Sequence, residues 1–289
     1  MEKLKAFGKI NLALDVLGKR PDGYHEVRMI MQTIGIYDRL FMEESEGEEV
    51  LIESNLSLLP CDENNLVYKA AKLLMNEFGI RRGLKVKLEK QIPVAAGLAG
   101  GSSDAAATLV GVNRIFDLGL SKEELMERGV KIGADVPYCV MRGTALSEGI
   151  GEKLTPLDPV PGDVHVVLAK IPVSVSTARV YGGLKPEDIK ERPDIDGMIK
   201  AIGDGDIRGI ASAMGNVLET VTIPMYPRLA EIKKAFMDEG ALGSLMSGSG
   251  PTVFGLFDDI KKARKAYRNI KVMEPSAQVF LTRMLNSYG

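Results

Sequence analysis

Only two cysteines, Cys61 and Cys139, occur in 289 residues, and their spacing matches no zinc or redox motif. This argues against a structural metal site, fits a reducing compartment, and makes both thiols read as packed side chains. Charge of one sign is just as scarce: 37 Lys and Arg stand against 39 Asp and Glu, with no long run of either. The resulting formal charge of -2 offers no electrostatic grip on nucleic acid or anionic lipid, so small molecules are the expected partners. No apolar run approaches transmembrane length, and the opening MEKLKAFGKINLALDV is broken by Gly8, Lys9, Asn11 and Asp15. Neither secretion nor membrane insertion is signalled, and a cytoplasmic protein is expected. Internal repeats and low-complexity tracts are lacking too, as is a regular βαβ alternation.

What is present is an ordinary globular composition, 45% hydrophobic, in a chain long enough for two domains. Near-alternation over 8–18 and 84–90 predicts half-buried strands. Apolar spacing predicts a helix over 65–78 ending at Gly79, and Ser121 with Glu124 forms a capping box opening a helix over 122–132. Further strands are expected at 139–146, 164–169, 253–257 and 279–284, with helices around 195–203, 206–214, 226–239 and 260–268. The turn-rich TPLDPVPGD over 155–163 marks the expected domain boundary, giving 1–157 and 158–289. The fold class is α+β.

Four short stretches combine glycine with polar residues in unexpected places. In IPVAAGLAGGSSDAAAT, residues 92–108, Gly97, Gly100 and Gly101 read as a loop and Ala105 to Ala107 as the helix after it. A helix start of this kind presents unpaired N–H groups and the positive end of the helix dipole, which suits phosphate. Alternatively, Ser102 or Ser103 simply caps the helix in a tight connection. The loop has neither a Walker lysine nor a GxGxxG spacing.

In the stretch 7–27, Lys9 and Asn11 share one face of an apolar strand, either functional or turned to water as an edge. RPDGYH, residues 20–25, follows with a Pro-Asp-Gly turn before Tyr24 and His25, which suits base stacking or a hairpin with Tyr24 packed inside. In KIGADVPY, residues 131–138, a helix exit at Gly133 precedes Asp135, and Val136-Pro137 is expected to be extended. Asp135 either satisfies turn amides or accepts a proton from an alcohol. MSGSGPTVFGLF, 246–257, reads as strand, glycine loop and strand, a tight hairpin or a place of close backbone approach to a ligand.

Taken in order along nearly the whole chain, these four stretches resemble the GHMP family of small-molecule kinases. The resemblance implies a two-domain α+β fold, with an N-terminal domain like that of ribosomal protein S5, an α+β C-terminal domain, and the active site in the cleft between them. It implies ATP as phosphoryl donor, accompanied by Mg²⁺ carried mainly on the ATP phosphates with no protein metal ligand assigned. Asp135 corresponds to the catalytic base and Lys9 to its cationic partner. Pro93, Ala95, Gly97, Leu98, Ala99, Gly100, Gly101, Ser102 and Ser103 correspond to the phosphate-binding segment, and Asn65 to a border of the adenine pocket. Val94, Ala95 and Ala96 replace glycines of some relatives, stiffening the approach to the loop.

RPDGYH narrows the resemblance to a branch whose acceptor is the cytidine diphosphate ester of methylerythritol, phosphorylated at its 2-hydroxyl on the non-mevalonate route to isoprenoid precursors. There Asn11, Tyr24 and His25 match residues that meet the substrate, Tyr24 stacking on cytosine and His25 bonding its edge. Tyr181 is the candidate second aromatic, and Gly248 and Gly250 would lie near the substrate phosphates. A monomer or weak homodimer is expected. A nucleotide-binding module without catalysis would lack the base or the lysine, whereas Asp135 and Lys9 are both present.

Overall fold

The computed structural model describes residues 1–185 and 188–286. By its contacts the chain divides into two compact units that interleave in sequence. The first comprises Met1–Gly8, Ile36–Val94 and Ala99–Arg142; the second comprises Lys9–Gly35, Ala95–Leu98 and the chain from Gly143 onward. Two long strands, β1 (Glu2–Lys19) and β2 (His25–Ser45), belong partly to each. The linear segmentation at 157/158 divides the chain differently, since 9–35 and 143–157 fall with the later residues.

In the first unit, β4 (Gly83–Glu89) is flanked by β3 (Val50–Ser54) in parallel and by residues 39–45 of β2 in antiparallel. Leu84, Val86 and Leu88 point one way along β4 and are fully buried, while the lysines between them are exposed, as alternation predicts. Helix α1 (Leu66–Glu77) packs on α2 (Gly100–Ile115), followed by α3 (Lys122–Val130) and α4 (Val136–Met141). A Cβ on Gly111 would stand 2.5 Å from Met42 Sδ and 2.8 Å from Leu4 Cδ1. Glycine is thus what lets α2 lie close on the strands.

The second unit places β5 (Thr144–Gly149) antiparallel to residues 27–32 of β2, with β6 (Lys153–Pro156) on its far side. A four-stranded sheet follows. Its order is β11-β7-β10-β9, from β7 (His165–Lys170), β9 (Gly243–Met246), β10 (Thr252–Phe257) and β11 (Gln278–Arg283). The helices of this unit are α5 (Thr177–Gly183), α6 (Ile195–Gly203), α7 (Ile207–Ser212), α8 (Glu219–Met225), α9 (Arg228–Asp238) and α10 (Ile260–Met273), of which α9 and α10 pack on the sheet. The two-residue strand β8 (Gly215–Asn216) pairs in parallel with Ala13 and Leu14 of β1. Among the described residues no helix is long and apolar enough to cross a membrane.

Several expectations need correction. Residues 139–146 are not one strand: Cys139 to Met141 end α4, Arg142 turns at φ 63°, and β5 begins at Thr144. Val136-Pro137 is helical rather than extended, because proline in the first turn forgoes an N–H that has no intrahelical partner anyway. Gly100 and Gly101 are the first residues of α2, not loop, and its N-cap is Ala99 in the left-handed region, without a side-chain cap from Ser102 or Ser103. The preceding helix ends at Val130, with Gly133 in the turn beyond it. Cys139 is buried, but Cys61 is exposed.

Candidate active site

In the second unit the polar residues of β1 face inward. Lys9 is 4% exposed and Asn11 is fully buried, which removes the water-facing edge as their explanation. Lys9 Nζ donates to Asn11 Oδ1 at 2.7 Å, and Asn11 Nδ2 lies 3.2 Å from Met29 Sδ. The Lys9 backbone N–H donates to Leu98 O at 3.1 Å, fastening the strand to the glycine segment. Ser247 Oγ donates to Gly97 O at 2.8 Å.

Gly97 has φ 73°, and a Cβ there would fall 2.1 Å from Ser247 O. Gly248, at φ 57°, is its neighbour: a Cβ there would stand 3.4 Å from Gly97 O and 3.6 Å from Asn11 Oδ1, in ordinary van der Waals contact. Lys9, Asn11, Gly97, Leu98 and Gly248 are therefore brought together, as the motif order implied. The loop joining β9 to β10 is braced by Asn216, whose Nδ2 donates to Met246 O and Gly248 O, each at 2.8 Å. Sequence reasoning missed Asn216, because nothing around it forms a motif.

RPDGYH is a tight turn. Arg20 N donates to Tyr24 O at 2.8 Å, Gly23 sits at φ 88°, and Asp22 Oδ1 accepts from Tyr24 N at 3.1 Å. Arg20 clamps it with 3.0 Å bonds to Asp22 and Glu26. Tyr24 is 59% exposed, so it is not packed into the core. His25 meets Tyr181 of α5, ring centroids 5.2 Å apart and planes tilted by 41°. Burial, and then the charge of Lys19, push the His25 imidazole below its ordinary value, so it stays neutral at pH 7.

In the first unit, Asp135 is the N-cap residue of α4, yet its side chain makes no capping bond. Ser103 is buried, and its Oγ donates to Phe7 O at 2.6 Å. Asn65 caps α1: Oδ1 accepts from Val67 N at 2.9 Å and Nδ2 donates to Pro60 O at 2.6 Å. These bonds give Asn65 a structural task of its own. Positive φ values at Ala95, Gly97 and Ala99, at 51°, 73° and 55°, recur at every second residue. Where left-handed residues alternate with right-handed helical ones, successive N–H groups turn toward one side and can receive an anion.

Residues 65–143 match the family model for the GHMP kinases N terminal domain, and residues 198–273 that for the GHMP kinases C terminal. The chain belongs to the GHMP kinase family and is a small-molecule phosphotransferase. Its relatives within that family are 4-diphosphocytidyl-2-C-methyl-D-erythritol kinases. It is 55% identical over 284 residues to that of Lachnoclostridium phytofermentans, covering 98% of this chain and 97% of the relative. To that of Clostridium perfringens it is 48% identical over 285 residues, covering 99% of each. A crystal structure of 4-(cytidine 5'-diphospho)-2C-methyl-D-erythritol kinase aligns with TM-score 0.84 at 30% identity, over 99% of this chain and 100% of that one. Homoserine kinase from Cytophaga hutchinsonii, at 20% identity and TM-score 0.78 over 99% and 96%, shares the fold.

Proposed function

We propose that this kinase transfers the γ-phosphoryl group of ATP to the 2-hydroxyl of 4-(cytidine 5'-diphospho)-2-C-methyl-D-erythritol, giving the 2-phosphate and ADP. The observation that carries the reading is Lys9, a lysine 4% exposed on an apolar strand whose own backbone is bonded to the glycine segment at Leu98. Set there, its ammonium can act on negative charge developing beside the glycine segment, which is what phosphoryl transfer produces.

In this reading Asp135 takes the proton of the acceptor hydroxyl as its oxygen forms a bond to the γ-phosphorus, and the bond to the bridging oxygen of ADP breaks. Lys9 offsets the growing charge of the alkoxide. Backbone N–H groups of 97–103, at the positive end of α2, receive the nucleotide phosphates. The left-handed alternation at 95, 97 and 99 fits that task. Mg²⁺ enters with ATP as part of the substrate complex and screens its phosphate oxygens.

On the acceptor side, exposed Tyr24 offers a ring for stacking on cytosine, and neutral His25 offers a donor and an acceptor to its edge. Tyr181, already beside His25, supplies the second aromatic. Gly248 and Gly250, with Asn11, border the substrate phosphates, and Asn65 with Pro93 borders the adenine. The same reading takes 1–157 and 158–289 as the family's N- and C-terminal halves, in a cytoplasmic monomer or weak homodimer.

The test is ADP release with Mg-ATP and four alcohols: the cytidylylated methylerythritol, free methylerythritol phosphate, homoserine and mevalonate. Turnover with the first alone is expected, and Asp135→Asn should lower it by about a thousandfold or more. Turnover with another of the four would keep the family and discard the acceptor. An Asp135→Asn variant at parent rate would remove Asp135 as base.

A further inference from the structure

Beneath the first turn of α2 lies a buried charge cluster that the reaction above does not use. Lys90, 8% exposed, follows β4 directly, and its Nζ donates to Asp38 Oδ2 at 2.5 Å and to Asp104 Oδ2 at 2.6 Å. Asp38 comes from β2 and is fully buried; Asp104 comes from α2 and is 3% exposed. The other oxygen of Asp38 accepts from the backbone N–H groups of Gln91, at 2.5 Å, and Ile92, at 2.8 Å. Gly100 closes the arrangement: a Cβ there would stand 3.0 Å from Ile92 Cγ2 and 3.3 Å from Lys90 Nζ. One cation thus ties together a strand, the chain entering the glycine segment, and the helix leaving it.

Taking these charges out of water costs more than filling the same space with apolar side chains, so the cluster is weak as a source of stability. Its contribution is a fixed geometry. We propose that Lys90 is a positioning residue, which through Asp38 and Asp104 holds the first turn of α2, and its amide donors, where the nucleotide phosphates bind. The inference rests on reading 97–103 as the segment that receives ATP.

The remaining oxygen of Asp104 supports it. Oδ1 is buried without a hydrogen-bond partner. Burial pushes the Asp104 carboxyl up to about 8, with Lys90 opposing and Asp38 adding to the rise. Lys90 itself is raised, because Asp104 and Asp38 together outweigh the burial that works to lower it. Asp38 from β2 and Lys90 from the segment after β4 are the charged groups acting on Asp104; α1, α3 and α4, which also pack on α2, add none among the described residues. At neutral pH Asp104 therefore holds its proton. Above about pH 8 a further negative charge forms at the fifth residue of α2, just behind the helix start where an anionic nucleotide is to be received.

Steady-state kinetics of the full chain with Mg-ATP and the cytidylylated acceptor test this. Asp104→Ala removes the tie from Lys90 to α2, and its ATP KM should rise about tenfold while the acceptor KM stays within about twofold. Asp104→Asn keeps an oxygen for Lys90 and should restore the ATP KM to within about threefold of the parent. From about pH 7 to 9.5 the parent's ATP KM should climb, and that of Asp104→Asn should stay flat. A parent-like ATP KM in folded Asp104→Ala would overturn the proposal, as would an Asp104→Asn profile that follows the parent. If Asp104→Ala does not fold, the pH profile of Asp104→Asn decides alone. Failure of the parent to turn over ATP would overturn the reading of 97–103 and this inference with it, and is seen before any variant is made.

Discussion

A carboxyl titrating near its ordinary 3.8 in the unfolded chain and near 8 in the folded one makes Asp104 a net consumer of stability as pH rises. Between those values the native state holds a proton that the unfolded state has released, so the stability present at low pH is lost as pH climbs toward 8. The parent's melting temperature should therefore fall between about pH 5 and 8.5, and Asp104→Asn should flatten that slope. Scanning calorimetry of the two proteins side by side checks it, and parallel slopes would place the dependence in other groups. Tyr24 is the opposite kind of residue. At 59% exposure its ring contributes little to the core, so Tyr24→Ala should shift the melting temperature by no more than about 2 °C. A lost stack on a base is worth about 1–3 kcal/mol, and the acceptor KM should rise by roughly tenfold or more while the ATP KM holds. An unchanged acceptor KM would take Tyr24 out of the base site.

Elements with local signals were legible in the sequence. Asn65 caps α1, and the Ser121–Glu124 box opens α3, each by bonds among residues adjacent in the chain. Ser121→Ala should cost about 1 kcal/mol, read as a lower melting temperature with turnover unchanged. Strand β2 was not legible, because residues 29–34 are buried without interruption and show no alternation. The start of α2 misled for a tertiary reason: Gly100 is helical although glycine disfavours helix, and it suits a place where a Cβ would crowd Ile92 Cγ2 at 3.0 Å and Lys90 Nζ at 3.3 Å. The Lys90 cluster joins residues 38, 90 and 104, and the one sequence signal was a lone aspartate in an alanine run. Gly97 is the motif glycine that close backbone approach most plainly requires. Gly97→Ala should abolish turnover and cost at least about 2 kcal/mol, since its Cβ would meet Ser247 O at 2.1 Å in a backbone at φ 73°. Retained activity in Gly97→Ala would mean that the segment relaxes without consequence for phosphate binding.

At the scale of the whole molecule, binding and chemistry can be separated by their effect on unfolding. A ligand that binds only the native chain stabilises it in proportion to the logarithm of its concentration, by about 2.7 kcal/mol at a hundredfold excess over Kd. For a chain of this size each kcal/mol is worth about 2–4 °C, so a non-hydrolysable Mg-ATP analogue should raise the melting temperature by roughly 5–10 °C. Asp135→Asn keeps the shape of the side chain and removes only the base. It should show the full shift while losing turnover. Gly97→Ala alters the phosphate segment itself and should lose both. The pattern has a physical reason: the amides of 97–103 act on the ground state of the nucleotide, whereas the proton acceptor acts only as the transferring bond forms. Asp135→Asn losing the nucleotide shift would make Asp135 part of the ATP site and leave the base to be found elsewhere. Gly97→Ala keeping it would move the phosphates away from the glycine segment, and the dipole of α2 would then have no role in the transfer.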